Sequence, residues 1–511
     1  MGNTKNISTL LVTIFIIVPV LVLGIFLRFF WIGGTTYEVD EVVNWQVPEM
    51  INTVGFPTIK PEAGEPYHLY TFHPPILYYV LAGWFRLVGS SILSARILNA
   101  AFSIVAMVML FFFMLKSNGR KAAVLLFFFV MTDGWIVMTN RMNYLENGQM
   151  IAIVAAMWAY WWATKSTGES LRRYALAGAL FGLVLCLKVI GGYIFLAVLI
   201  AFVLSRGKHL KGHCVLFTSA ALVFLAYTGI MYANFGQMYL EQAFLVHFKR
   251  IVGTRESRGM NFGVMEILQV IVERYWIYGM TVLALLAGGL LVAGYFLKNL
   301  RQREFENIVW YSWGLSGLLV AALSSLKSPH YLMLWVIPLY AVISIKGAQW
   351  AKGVRLAYVP VLLLVVLGFN LFTWNTRFIS HRGDAVRDSA AFIAESLPAD
   401  AVVVTEPYIG FLIPQGYVRE YRSDVDENYL KRVFVEKGVD YLAVYTSSTV
   451  RVSDSELLTR LVETCHNPIN FKGFKDNVMV CKIDPQTFAE MKMEVEKQPK
   501  SERSVYRPYF Y

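Results

Sequence analysis

The 511-residue sequence is poor in charge: 16% of its residues are Asp, Glu, Lys or Arg, against 56% hydrophobic, and its mean hydropathy is +0.50. That balance excludes an ordinary soluble globular chain and points to a polytopic membrane protein. Cysteine is scarce. The four present, Cys186, Cys214, Cys465 and Cys481, include no CxxC pair, so neither a zinc knuckle nor a dithiol redox motif is supported. The net charge of +11 comes with no basic arm and no aromatic-basic module, so nucleic acid is not an expected partner. No internal repeat is seen, and no DxD triplet coordinates a metal in an obvious way, so a divalent metal is possible but not indicated by a clear motif.

What the sequence does have is long uncharged runs. Residues 6–27, NISTLLVTIFIIVPVLVLGIFL, match the length a helix needs to cross about 30 Å of hydrocarbon. The run exceeds the roughly 7–15 apolar residues of a signal peptide and lacks a clear small-residue cleavage site, so it reads as a first span. Further runs lie at 97–115, 122–132, 147–164, 174–187, 189–205, 214–240, 275–297, 307–326, 328–345 and 356–376, which makes about eleven spans. Five connections each carry three basic residues, beginning with Lys116, Arg120 and Lys121 and ending with Lys346, Lys352 and Arg355. The positive-inside rule puts these connections and the N-terminus in the cytoplasm. The alternation holds only if 74–88, PPILYYVLAGWFRLV, stays on the outer side as an interfacial or re-entrant helix.

From about residue 380 the composition changes to that of a soluble chain. AVVVTE, VDYLAVYT and DNVMVCKID read as strands, and RDSAAFIAESL, YLKRVFVEKG and SELLTRLVETC as helices. The expected organisation is a helical membrane domain over 1–375, a small C-terminal extracytoplasmic α/β domain over 376–485, and a weakly ordered tail over 486–511. Cys465 and Cys481 would sit in an oxidising compartment, where a disulfide and two buried thiols fit equally well.

The charges that do not mark topology gather on one face. Glu38, Asp40, Glu41, His73, Arg96, Arg141, Glu146, Lys188, His247, Lys249, Arg250, Lys327 and His330 all fall near the outer ends of spans. Ionisable groups at membrane depth are costly and are functional candidates by default. Each has a plain alternative: Asp40 and Glu41 at the start of a helix are favoured there by its dipole, Lys188 can snorkel from a helix end, and HFKRIVGTRESR can be a solvated loop. Acids and cations together at an outer leaflet suit transfer of a sugar from a polyprenyl phosphate. The departing phosphate is already a stable anion, so the acceptor hydroxyl is what needs a base, and cations stabilise the charge that develops on phosphate. A lipid or ion transporter is the alternative, with Glu146 and Lys188 lining a path; transporters often show repeats, and clustering at one interface favours the enzyme.

The order of VDE, FHPPILYYVLAGWFRLVG, SARILNA, NRMNYLENGQM, LCLKVIGG and SPHYLMLWVIPLYA resembles the GT-C fold glycosyltransferases. It is similar in particular to the protein O-mannosyltransferases and the lipid A aminoarabinose transferase, over roughly residues 1–375. The resemblance implies a plasma-membrane enzyme using a polyprenyl-phosphate-linked sugar donor and an acceptor hydroxyl on a lipid, glycan or protein. It implies Asp40 as general base, Glu41 as its partner and Glu146 as a second acid that orients the acceptor or a metal. Lys188, His247, Lys249, Arg250, Lys327 and Arg96 are expected around the donor phosphate, and His73, Arg141, His330 and Tyr331 in positioning substrate. No long internal domain of the mannosyltransferase kind interrupts the chain.

Overall fold

The computed structural model describes residues 2–34, 37, 39–165, 168–245, 280–302, 307–323, 329–350, 358–375, 384–419, 427–445, 456–472 and 477–497. Two compact units emerge, and the division is not sequential. The first comprises 1–33, 51–57 and 69–380; the second comprises 34–50, 58–68 and 381–511. Residues expected to form an external loop of the membrane domain thus group with the C-terminal part of the chain.

The first unit is helical. Its main helices are α1 (Gly2–Phe29), α3 (Ile76–Val88), α4 (Ile92–Asn118), α5 (Arg120–Thr132), α6 (Gly134–Arg141), α7 (Glu146–Thr164), α8 (Leu171–Leu187), α9 (Tyr193–Leu204) and α10 (Leu210–Leu240). These are followed by α11 (Met280–Gln302), α12 (Ile308–Leu323), α13 (Leu332–Trp350) and α14 (Tyr358–Trp374), while α2 (Val39–Val54) begins in the second unit. The described parts of all eleven apolar runs fall on helices. Among the described residues, four helices are long and apolar enough to cross a membrane: Ile16–Gly34, Ile92–Asn118, Leu210–Leu245 and Leu332–Trp350. The pair α5 and α6, bent by 59°, makes a fifth if counted as one broken span rather than a re-entrant loop. The 13 residues of α3 reach only about 20 Å at 1.5 Å per residue, short of a hydrocarbon core.

Local chemistry sets the breaks. Ser91 and Ser94 form a reciprocal capping box at the start of α4. Asp133 separates α5 from α6 because its Oδ1 accepts the Ile136 amide, 2.8 Å away, and so caps α6. Gly178 and Gly182 form a GxxxG pair on α8 where it meets α10; a Cβ at Gly182 would lie 2.6 Å from the Ala220 carbonyl oxygen. Small residues let backbones approach closely where no hydrophobic drive separates helix from lipid. Gly182→Leu is expected to force the two helices apart and lower stability by about 1–3 kcal/mol, as overpacking does. A thermal melt of detergent-purified protein reads this, and an unchanged midpoint would show that the helices do not meet so closely.

The second unit is built on a five-stranded sheet. Its strands are β3 (Val402–Thr405), β4 (Gly416–Arg419), β5 (Tyr441–Tyr445), β6 (His466–Lys472) and β7 (Asn477–Lys482), numbered after the short strands β1 (Thr58–Ile59) and β2 (His68–Leu69). The order is β4-β3-β5-β7-β6. The β3 strand is parallel to both β4 and β5, while β7 runs antiparallel to β5 and β6. Its helices are α15 (Ala385–Ser396), α16 (Pro407–Leu412), α17 (Glu427–Lys437), α18 (Glu456–Glu463) and α19 (Pro485–Glu496). Val404, Leu442 and Val444 share one buried cluster with Leu430 and Phe434 of α17, Leu458 and Leu461 of α18, and Met491 of α19. The expectation of a weakly ordered tail therefore gives way over 485–496: Asp484 caps α19 through the Thr487 amide, and Met491 is buried. The remaining tail, 498–511, lies outside the described residues. Cys465 and Cys481 are bonded, which resolves the two alternatives left by the sequence.

The early loop residues enter this unit by hydrogen bonds. The Tyr37 amide donates to Asp384 Oδ2 at 2.7 Å, and the Ala63 amide donates to the Tyr417 carbonyl of β4 at 2.8 Å. Lys60 Nζ donates to the carbonyls of Gly410 (3.2 Å), Gln415 (2.9 Å) and Ile413. Burial pushes the Lys60 ammonium down from 10.5 to about 8. Between these values the unfolded chain holds the proton and the folded chain releases it, so the stability contributed by Lys60 rises with pH from about 8 to about 10.5. The difference in unfolding free energy between wild type and Lys60→Met should follow that slope; a difference falling across this window would contradict it.

Candidate active site

Three backbone breaks bring a charged cluster together in the first unit. Glu146 opens α7, where the positive end of the helix dipole favours an anion. Lys188 closes α8 in an extended conformation, φ −164° and ψ 130°. His330 lies in a short 3-10 turn, Pro329–Tyr331, ahead of α13. Glu146 Oε1 is 2.6 Å from Lys188 Nζ and 3.6 Å from His330 Nε2. All three side chains are buried, Glu146 completely. His330 stacks on Tyr144 with ring centroids 4.6 Å apart, and Lys188 Nζ stands 5.3 Å from the centroid of the Tyr331 ring.

Desolvating two charges costs several kcal/mol each, of an order that only close geometry and further hydrogen bonds offset. The 2.6 Å contact supplies the geometry. The second carboxylate oxygen, Glu146 Oε2, is buried with no hydrogen-bond partner among the described residues. A helix N-terminus, a lysine and a histidine thus surround one carboxylate, and these groups can donate hydrogen bonds to an oxyanion. Among the described residues no three His, Cys, Asp or Glu side chains converge as a metal-binding group.

Two arginines expected to meet substrate have other partners. Arg141 Nη1 donates to the carbonyls of Leu27 and Phe30, each at 2.7 Å, and its Nη2 to Trp31 at 3.1 Å. Arg96 Nη1 donates to the Ile32 carbonyl at 2.9 Å. The last carbonyls of a helix have no intrahelical donor and carry the negative end of its dipole. Arg141 therefore ties down the end of α1 and the two residues after it, and Arg96 the short 3-10 turn Ile32–Gly34 that follows. His73 precedes α3, its ring 4.9 Å from that of Phe72. Asp40 and Glu41 form the first turn of α2 within the second unit, Asp40 exposed and Glu41 fully buried. His247, Lys249, Arg250, Lys327 and Glu38 lie outside the described residues.

Several buried polar residues escape a reading by charge clusters. Arg28, fully buried, donates to the carbonyls of Gly24, Val130 and Met131 and to Asn140 Oδ1, the last at 2.8 Å. Asn140 Nδ2 in turn donates to Asn147 Oδ1 at 2.8 Å, and Asn147 Nδ2 to the carbonyls of Thr139 and Met142, each at 3.2 Å. This amide chain fastens the loop that carries Glu146. Asp133 accepts from Tyr340 Oη at 2.6 Å and from Thr281 Oγ1 at 3.0 Å. The signal available for Asp133 was its place between apolar runs; for Arg28, its place at the end of the first. Asn140 and Asn147 carried no signal beyond lying in the loop.

Comparison with known proteins locates this geometry in a family of folds. Residues 72–232 match the dolichyl-phosphate-mannose-protein mannosyltransferase family. No curated protein sequence matches the chain. ArnT from Cupriavidus metallidurans bound to undecaprenyl phosphate is similar in structure with a TM-score of 0.60 at 12% identity, over 94% of this chain and 99% of that one. The oligosaccharyltransferase of Archaeoglobus fulgidus gives 0.54 at 13% identity, over 84% and 69%. Arabinofuranosyltransferase AftD from Mycobacteria gives 0.51 at 12% identity, over 92% and 40%. The fold is that of the GT-C glycosyltransferases, as the motif order implied.

Proposed function

We propose that the protein is an integral membrane glycosyltransferase that moves a monosaccharide from a polyprenyl-phosphate-linked donor to a hydroxyl of a lipid, glycan or protein. The observation that carries this reading is the buried Glu146–Lys188–His330 cluster, held at three helix breaks on a GT-C fold. One protein of that fold has been crystallised with undecaprenyl phosphate. The active face is extracytoplasmic and the N-terminus cytoplasmic, from the distribution of the basic loops.

The reaction is a single displacement with inversion. The acceptor oxygen attacks the anomeric carbon and the carbon–oxygen bond to phosphate breaks. Its electron pair stays on the phosphate oxygen. Asp40 takes the proton from the acceptor hydroxyl, with Glu41 as its partner. Lys188 and His330 face the charge that grows on the departing phosphate, a role in which preformed cations outperform water because they need no reorganisation. Glu146 keeps Lys188 in place until the phosphate arrives. His247, Lys249, Arg250 and Lys327 belong to the same phosphate-facing set, and His73 and Tyr331 position the sugar or acceptor.

The test is transfer from undecaprenyl phosphate carrying mannose, arabinose or an aminopentose to acceptors in a membrane extract, with the product's anomeric configuration read by NMR. Transfer with inverted configuration supports the whole reading. Retained configuration removes the single displacement, and no transfer from any such donor removes the transferase.

A further inference from the structure

Gln149 lies three residues after Glu146 on α7, on the same face of the helix. It is completely buried. Its Nε2 donates to the Val184 carbonyl at 3.0 Å and also to the carbonyl of Lys188. Both partners are oxygens that can only accept, so turning the amide over would set oxygen against oxygen. The orientation of Gln149 is thus determined by the end of α8, and Gly191 makes room for it: a Cβ at Gly191 would fall inside contact distance of the same Nε2.

With Nε2 committed, Gln149 Oε1 is left buried and without a donor among the described residues, as is Glu146 Oε2. A buried acceptor without a donor carries the full cost of its desolvation. Two of them, on one helix face, flank the residue whose ammonium faces phosphate. We propose that Gln149 is a specificity-determining residue: Gln149 Oε1 and Glu146 Oε2 are the paired acceptors for hydroxyl groups of the transferred sugar. The inference rests on the transferase reading above and adds to it the ligand chemistry of this corner of the site, a sugar with two hydroxyl donors. A phosphate ester, which offers acceptors, has nothing to give these two oxygens.

The experiment compares wild type, Gln149→Met and Gln149→Asn with undecaprenyl-phosphate mannose and arabinose, each also supplied with one hydroxyl removed at a time. For wild type, one deoxy donor should lose about tenfold to a hundredfold in kcat/KM, the scale of a lost hydrogen bond to a buried group. Gln149→Met should suffer the same loss with the intact donor and no further loss with that deoxy donor. Gln149→Asn, which keeps the amide but withdraws its oxygen, serves where Gln149→Met does not fold. An equal loss across every donor would mean that Gln149 only positions Lys188, and no loss at all would mean that it faces no sugar; either result overturns the proposal. A wild-type protein inactive with every donor brings down the transferase reading first, and this assignment with it, so the two failures are told apart by the wild type alone.

Discussion

Asp40→Asn should lower sugar transfer by about 10²–10⁴-fold while the protein inserts, folds and binds donor as before. Asp40 is exposed in the first turn of α2, so its replacement by a residue of the same shape leaves packing intact. If the carboxylate merely favoured the helix start, its loss would cost only about 0.3–1 kcal/mol of stability and leave turnover untouched. The two outcomes differ by orders of magnitude in rate, which a steady-state assay on purified protein separates cleanly. A variant as active as wild type would move the base elsewhere.

Lys188→Met should destabilise the first unit by about 3–5 kcal/mol, the cost of leaving one member of a buried ion pair uncompensated. The stranded group is Glu146, whose Oε1 lies 2.6 Å from the ammonium and whose other neighbour, the His330 imidazole, is 3.6 Å away. Lys188→Met combined with Glu146→Leu should recover most of that stability, because two apolar groups of similar size fill the same volume without a charge to desolvate. Transfer activity should stay abolished in the double variant. Thermal melts and transfer assays on the four proteins of this cycle distinguish a pair that serves the fold from one that serves the chemistry. Recovery of both stability and activity would assign Glu146 and Lys188 a purely structural role.

The contrast between these residues and the two arginines shows what a charge census can and cannot read. Arg96 is expected at the donor phosphate and Arg141 in substrate positioning because both sit at the outer ends of spans, where Lys188 also sits. A sequence records how many charges a level holds but not how many orphan carbonyls compete for them. The end of α1 and the turn after it offer the carbonyls of Leu27, Phe30, Trp31 and Ile32 to these guanidinium groups. Lys188 differs because its neighbour across the bundle is a carboxylate on α7, 42 positions earlier. Pairings at such separations are decided by helix packing, and GxxxG contacts such as those of Gly178 and Gly182 leave only a weak trace in the order of residues.

Gln149 is the clearest case of a residue invisible before the fold is known. In LENGQM it is one polar side chain at the start of an apolar run, indistinguishable from a boundary residue. Only when α8 ends at Lys188, with its carbonyl turned toward α7, does the amide acquire an orientation and its oxygen a vacancy to fill. The C-terminal unit shows the same division. AVVVTE, VDYLAVYT and DNVMVCKID were readable as strands because each is a short apolar run bounded by polar residues. The edge strands β4 and β6 were not: β6, HNPINFK, is exposed along almost its whole length and carries no such pattern.

By itself the sequence determined that the chain is a helical membrane protein, where its apolar helices lie, and that an α/β unit follows them. These properties depend on composition and on periodicity over ten to twenty neighbouring residues. The tertiary structure alone decided that residues 34–50 and 58–68 join the C-terminal unit, and that Cys465 bonds Cys481. It likewise decided that Glu146 meets Lys188 and His330 while Arg96 and Arg141 bind backbone carbonyls at and just beyond the end of α1. The reason is physical: burial follows from local hydrophobicity, whereas the partner a buried charge finds depends on which distant backbone or side-chain group the packing of helices brings within about 3 Å.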